Sequence, residues 1–210
     1  MLSSEEVEEY TSTPPFLRAK ISTGRRWGRL NEVESIKDSE LSKDMEDYLR
    51  EQSERNALLF LYGIYSGFRI SDIIDKRVRD VKGKMDFDMI EKKTGKVRKI
   101  PIHPKLKKAI DSYIVDKKDY EFLFKSRKGS NAPITRQQAY RVLRDAGKKF
   151  GLRSIGTHTM RKTFGYHLYQ QTQDINLVQS VLGHSSPEIT KTYIGITRER
   201  MYDAIRRLKY

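Results

Sequence analysis

Nine residues, Ala57-Leu-Leu-Phe-Leu-Tyr-Gly-Ile-Tyr65, form the longest apolar stretch of the chain. A membrane-spanning helix needs about 20 such residues, so this run must be covered by protein and not by lipid. It reads as a helix from Ala57 to Ser66, far more apolar than its neighbours and stopped near Gly67. A chain of 210 residues is long enough to build a core around it without covalent staples.

The surrounding pattern predicts mostly helix with one small sheet. Ser39 to about Glu54 places Leu41, Met45, Tyr48 and Leu49 at helical spacing on an acidic segment. A short helix over Ser71 to Lys76 follows the apolar one. The period then changes. Phe87 and Met89, then Ile100 and Ile102, alternate with polar residues on either side of Lys93-Thr94-Gly95, which predicts a β-hairpin over Met85–Lys92 and Lys96–Ile102. Pro104 opens the next helix, to about Val115. A short apolar edge, Phe122-Leu-Phe124, precedes the basic loop Lys125–Asn131. Thr135 is a good N-cap for a long basic helix reaching Phe150. Further helices are expected at about 158–171, 174–182 and 187–193, with a last one over 198–208. The fold class is therefore mainly α with a small antiparallel sheet (α+β). Residues 1–30, with Thr11-Ser-Thr-Pro-Pro15 and Arg25-Arg26-Trp27-Gly28-Arg29, read as a basic, irregular N-terminal arm ahead of one domain over 31–210.

Cysteine is absent, which removes disulfides and thiolate metal sites together. The N-terminus Met1–Glu9 is acidic where a secretory signal would be basic, so a soluble chain in the cytoplasm is the expectation. The formal net charge is +14, from 42 Lys and Arg against 28 Asp and Glu. Its distribution is uneven: residues 31–54 are acidic, and residues 55–210 carry an excess of 19 basic side chains. A polyanion gains from counterion release on such a surface, which points to nucleic acid.

Several residues could act on a phosphate. Arg69 follows Gly67-Phe68 at a turn between two helices, and its guanidinium fork matches phosphate oxygens; the alternative is a surface Arg paired with Asp72. His158 and Arg161 stand three apart on one helix face, at a helix start where backbone amides favour an anion; the alternative is a capping His and a solvated Arg. His184 lies in Leu182-Gly-His184, a turn joining two helices, and Tyr193 follows nine residues later. Twelve tyrosines are present, so spacing alone does not single out Tyr193.

The order of the pieces does more than any one of them. Gly67-x-Arg69-Ile-Ser-Asp72, a hairpin Lys in Lys93-Thr-Gly, His158-x-x-Arg161, Leu-Gly-His184 and then Tyr193 together resemble the catalytic domain of the tyrosine recombinase (phage integrase) family, over about residues 40–208. The resemblance implies that Arg69 and Arg161 are the two catalytic arginines and Tyr193 the nucleophile. His158 and His184 match the family's histidine positions, and Lys93 its hairpin lysine. Lys92 and Lys96 are neighbours that compete with Lys93 for that role. Asp72 falls where the family is usually acidic, more often Glu.

The same resemblance implies a site-specific recombinase or integrase that cuts and rejoins DNA through a 3′-phosphotyrosine, with no metal or other cofactor. Its partners would be double-stranded DNA and further copies of the chain, as a tetramer on paired sites, with room for accessory directionality proteins. The close alternatives are a type IB topoisomerase-like or resolvase strand transferase and a non-catalytic DNA-binding protein on the same scaffold. The helix from Thr135, with Arg136, Gln137, Gln138, Arg141 and Arg144, is a candidate groove reader; a solvated basic helix is the alternative. Family members commonly carry a helical core-binding domain ahead of the catalytic one, and no separate domain of that kind is expected in this chain. Met201, Ile205 and Leu208 share a face of the last helix, suited either to their own domain or to a neighbouring protomer.

Overall fold

The computed structural model of the protein describes residues 33–90, 95, 97–152, 154–196, 202 and 205–208. The N-terminal arm, Lys92, Lys93 and Lys96, and most of the expected last helix lie outside the described residues. At Tyr202, Ile205 and Arg206 the backbone is helical.

Eight α-helices and one hairpin make up the described fold: α1 Ser39–Gln52, α2 Glu54–Ser66, α3 Ile70–Ile74, β1 Asp86–Ile90, β2 Val97–Pro101, α4 Pro104–Ile114, α5 Arg136–Lys149, α6 Thr159–Thr172, α7 Ile175–Leu182 and α8 Pro187–Ile194. A single 3-10 turn, Val78–Asp80, links α3 to the hairpin. The strands pair antiparallel with Phe87 opposite Ile100 and Met89 opposite Arg98. The expected apolar edge at Phe122–Phe124 is reduced to isolated bridges, Arg77 to Phe122 and Lys125 to Pro133.

Helix α2 is the centre. It packs against α1, α3, α4, α5 and α6, and Leu58, Leu59, Phe60, Leu61 and Tyr62 are all buried. Burying one such side chain contributes about 1.5–3 kcal/mol, so this one helix organises the domain. It begins at Glu54, three residues before the apolar run. Its first turn is polar yet engaged: Asn56 is buried, and Arg55 Nη1 donates to the carbonyl of Lys125 at 2.9 Å. An aromatic cluster of Tyr62, Phe68, Phe87 and Phe124 ties α2 to the hairpin, with Tyr62 and Phe87 centroids 5.0 Å apart.

Caps fix the helix ends. Thr135 and Gln138 form a reciprocal capping box at the start of α5. Asp174 caps α7 and Ser186 caps α8, which has Pro187 in its first turn. A second, smaller apolar cluster gathers Tyr169, Val178, Leu182, Ile194 and Ile196 from α6, α7, α8 and the residues just after α8. The large cluster around α2 and this small one meet along α6.

Candidate active site

Arg161 is the hub. It is a charged side chain only 3% exposed. Its Nη1 donates to the carbonyl of Gly67 at 2.6 Å, and its Nη2 donates to the carbonyl of Leu182. Those carbonyls close α2 and α7, so the guanidinium stands at the negative ends of two helix dipoles. Five N–H donors are available on a guanidinium, which leaves capacity for a phosphate oxygen. Burial works against its charge, with Arg69 adding repulsion and Tyr193 and Asp72 opposing it.

Gly67 makes the carbonyl contact feasible. It closes α2 in the left-handed conformation, φ 65°, where a Cβ would meet the Phe164 ring at 2.4 Å; glycine is the residue that fits. The chain then runs extended through Arg69, the N-cap position of α3. Arg69 is exposed and forms no ion pair with a described residue. Asp72 instead accepts from the Ser71 hydroxyl at 3.2 Å, so the Arg69–Asp72 surface pair is not what the fold builds.

Tyr193 lies on α8 and is half-buried. Its hydroxyl is 3.3 Å from His158 Nδ1. The rings of Tyr193 and His184 meet edge to face with centroids 4.8 Å apart. Burial pushes the phenol up, while the charge and hydrogen bonding of Arg161 and the charge of Arg69 pull it down. His158 is held below the ordinary imidazole value by burial first, then by Arg161, Lys162 and Arg69. His184 is pushed down to about 4 by burial and by Arg161 and Arg69. Both rings are therefore neutral near pH 7, and His158 Nδ1 can accept the Tyr193 proton.

The structure thus brings Arg69, His158, Arg161, His184 and Tyr193 to one place, from the turn after α2 and from α6, the turn after α7, and α8. Lys93 is outside the described residues. Two neighbours had not been singled out. Lys162 places its ammonium 5.3 Å from the Tyr193 ring centroid; standing four residues after His158, it shares that helix face, which is the signal that could have found it. Thr190 lies beside His184, with its Oγ1 3.1 Å from Nδ1, and no spacing rule points to it.

Two members of the expected groove reader are already engaged within α5. Gln138 Oε1 accepts from the Thr135 amide at 2.8 Å, and Arg144 pairs with Asp145 at 2.7 Å. Arg136, Gln137 and Arg141 are exposed. Among the described residues no group of His, Cys, Asp or Glu is arranged to hold a metal, and no helix is long and apolar enough to cross a membrane.

A buried arginine and an exposed one thus act on a tyrosine flanked by two histidines. Residues 32–200 match the model of the phage integrase family, and the chain belongs to that family. It is 48% identical over 167 residues to the "Probable integrase/recombinase YoeC" of Bacillus subtilis, covering 80% of this chain and 92% of that protein. It is 32% identical over 174 residues to a tyrosine recombinase of Pseudothermotoga lettingae, covering 81% of this chain and 59% of that one. Among solved structures, XerA recombinase superposes with a TM-score of 0.67 at 22% identity, covering 90% of this chain and 69% of the other. XerH bound to a palindromic difH substrate gives 0.62 at 21%, covering 84% and 54%. These structural likenesses are of fold.

Proposed function

We propose that this chain is a site-specific DNA recombinase that cleaves and rejoins strands through a transient bond between Tyr193 and a backbone phosphate. The observation that carries the reading is the Tyr193 hydroxyl, 3.3 Å from a neutral His158 and under the charge of Arg161 and Arg69. A phosphodiester already bears a negative charge, and the pentavalent transition state places more on its non-bridging oxygens. Two arginines preorganised by the fold answer that charge; each donor of this kind is worth about 3–4 kcal/mol of barrier. Tyr193 Oη forms the bond to phosphorus as its proton passes to His158. The bond from phosphorus to the 5′-oxygen breaks, and Lys93, which falls between β1 and β2 in the sequence, protonates the leaving oxygen. A 3′-phosphotyrosine and a free 5′-hydroxyl result, and attack by a 5′-hydroxyl reverses the steps. The covalent bond conserves the phosphodiester energy, so no nucleotide is consumed.

The proposed substrate is double-stranded DNA, gripped by the basic surface and by Arg136, Gln137 and Arg141, which are exposed, and the compartment proposed for the chain is the cytoplasm. Residues 31–210 form the catalytic domain and 1–30 an arm. Ile205 and Leu208 are 59% and 58% exposed, and docking of that face onto a neighbouring protomer would join active sites in a tetramer.

The deciding test uses nicked suicide duplexes tiled across the DNA flanking the chain's own gene, incubated with protein in EDTA. A covalent protein–DNA adduct lost in Tyr193→Phe is expected. Cleavage without an adduct, or a requirement for a divalent metal, overturns the reading. Removing residues 198–210 should keep single-site adducts and abolish paired complexes; unchanged pairing defeats the tetramer contact.

A further inference from the structure

His184 belongs to the site, but its hydrogen bonding sets limits on what it can do there. Its Nδ1 lies 3.1 Å from Thr190 Oγ1. Thr190 is fully buried, and its Oγ1 also lies 3.1 Å from the carbonyl of Ser186. A hydroxyl has one proton to give. The carbonyl can only accept, and a threonine on a helix gives its proton to the carbonyl four residues back, which here is that of Ser186. Thr190 Oγ1 is then an acceptor toward His184, and Nδ1 must be the donor. The tautomer of an imidazole is set by the bond that one of its nitrogens makes.

We propose that Thr190 is a positioning residue that fixes the proton of neutral His184 on Nδ1, so that His184 donates to the scissile phosphate only after taking up a second proton on Nε2 together with the DNA. The two histidines of the site then hold opposite tautomers. His158, whose Nδ1 stands 3.3 Å from the Tyr193 hydroxyl, needs that nitrogen unprotonated to take the tyrosine proton in the proposed reaction. His184 uses a protonated Nδ1 to face Thr190, which leaves its Nε2 bare.

The charges around the ring agree with this. Arg161 on α6 and Arg69 ahead of α3 are the groups whose charges act on His184, and Tyr193 packs against it from α8. Both charged neighbours are cations, and they hold the empty site against a third positive charge. A bound phosphate reverses the balance by bringing a negative charge against all three side chains. Proton uptake by His184 would accompany phosphate binding, and the imidazolium would then donate from both nitrogens at once, to Thr190 and to the phosphate.

This inference rests on the strand-transfer reading for its phosphate, yet it is tested on the DNA-free protein, so either can fail alone. The full chain labelled with 15N-histidine is examined by long-range proton–nitrogen correlation near pH 7, with His184 assigned by the signals lost in His184→Gln. The expected pattern is a protonated Nδ1 and a bare Nε2, converting to the doubly protonated form as inorganic phosphate is added. A proton on Nε2 in the DNA-free protein overturns the proposal, as does a His184 that stays neutral when phosphate binds. Thr190→Val should release the tautomer and slow adduct formation on the suicide duplexes by roughly tenfold, the lower end of what loss of an orienting partner costs a metal-ligating histidine. Thr190→Ser should restore both. Valine and serine variants with the same tautomer and rate also refute it, and the wild-type spectrum decides the matter if the valine variant does not fold.

Discussion

Substituting Gly165→Ala adds one methyl group at the place where three helices converge. Gly165 lies on α6, four residues past Arg161. A Cβ there would sit 2.8 Å from Ile194 Cγ2 on α8 and 3.0 Å from Leu182 Cδ1 on α7. Carbon atoms rest comfortably at about 3.5–4.0 Å, so α8 must retreat by roughly 0.7–1 Å. Ile194 is the next residue after Tyr193, and the Tyr193 hydroxyl retreats with it while Arg161 remains on α6. A misplacement of about 1 Å is enough to cost on the order of 10²-fold in rate. Stability should respond far less. Alanine is about 1 kcal/mol better than glycine inside a helix, against about 1–3 kcal/mol for overpacking, for a net loss of about 0–2 kcal/mol. The assay compares three quantities for the variant and the unaltered chain: adduct formation on the suicide duplexes, noncovalent DNA retention, and the urea midpoint. A large fall in adduct rate with retained DNA binding and a near-normal midpoint is expected. Adduct formation as fast as in the unaltered chain would refute the claim that this crossing sets the distance between Tyr193 and Arg161.

Two further outcomes follow from Tyr62 and from the histidines. The Tyr62 hydroxyl is buried without a hydrogen-bond partner among the described residues, so Tyr62→Phe should hold or raise stability by up to about 1–3 kcal/mol, the cost of an unsatisfied buried group; a clear fall in the urea midpoint would contradict it. His103, His158 and His184 all hold protons less tightly than the ordinary 6.5, and His184 falls to about 4. The folded state therefore binds fewer protons than the unfolded one in that window, so their contribution is complete above 6.5 and is lost as the pH falls toward 4. The urea midpoint should drop from pH 7 to pH 4.5, and drop less in His184→Gln; an unchanged midpoint in the unaltered chain would rule this out.

What could be read in the sequence is what local chemistry decides. The hairpin announced itself by a change of period around Phe87 and Ile100. The starts of α4, α5 and α8 followed from Pro104, from Thr135 with Gln138, and from Ser186-Pro187. The polar first turn of α2 did not, because Glu54, Arg55 and Asn56 resemble a loop until Arg55 finds the carbonyl of Lys125, 70 positions away. The site divides in the same way. An ordered series of short motifs was enough to assemble five of its residues. It could not show Arg161 bonded to Gly67 and Leu182, since those partners stand 94 and 21 positions off. Nor could it show that Gln138 closes the capping box of α5 and that Arg144 is paired with Asp145, which leaves Arg136, Gln137 and Arg141 as the exposed candidates for the groove.

The two carbonyl bonds of Arg161 bear on how such a protein decays and on how it is best disarmed. The side chain proposed to meet the phosphate also fastens the end of α2 to the end of α7, joining the large apolar cluster to the small one. Replacing it removes a rivet as well as the proposed phosphate grip. Tyr193→Phe deletes a single oxygen and leaves the rivet in place, which makes it the better choice for holding an intact, inactive complex. Copies drifting without selection for strand transfer but still selected to bind DNA would be expected to lose the tyrosine hydroxyl first and to retain this arginine.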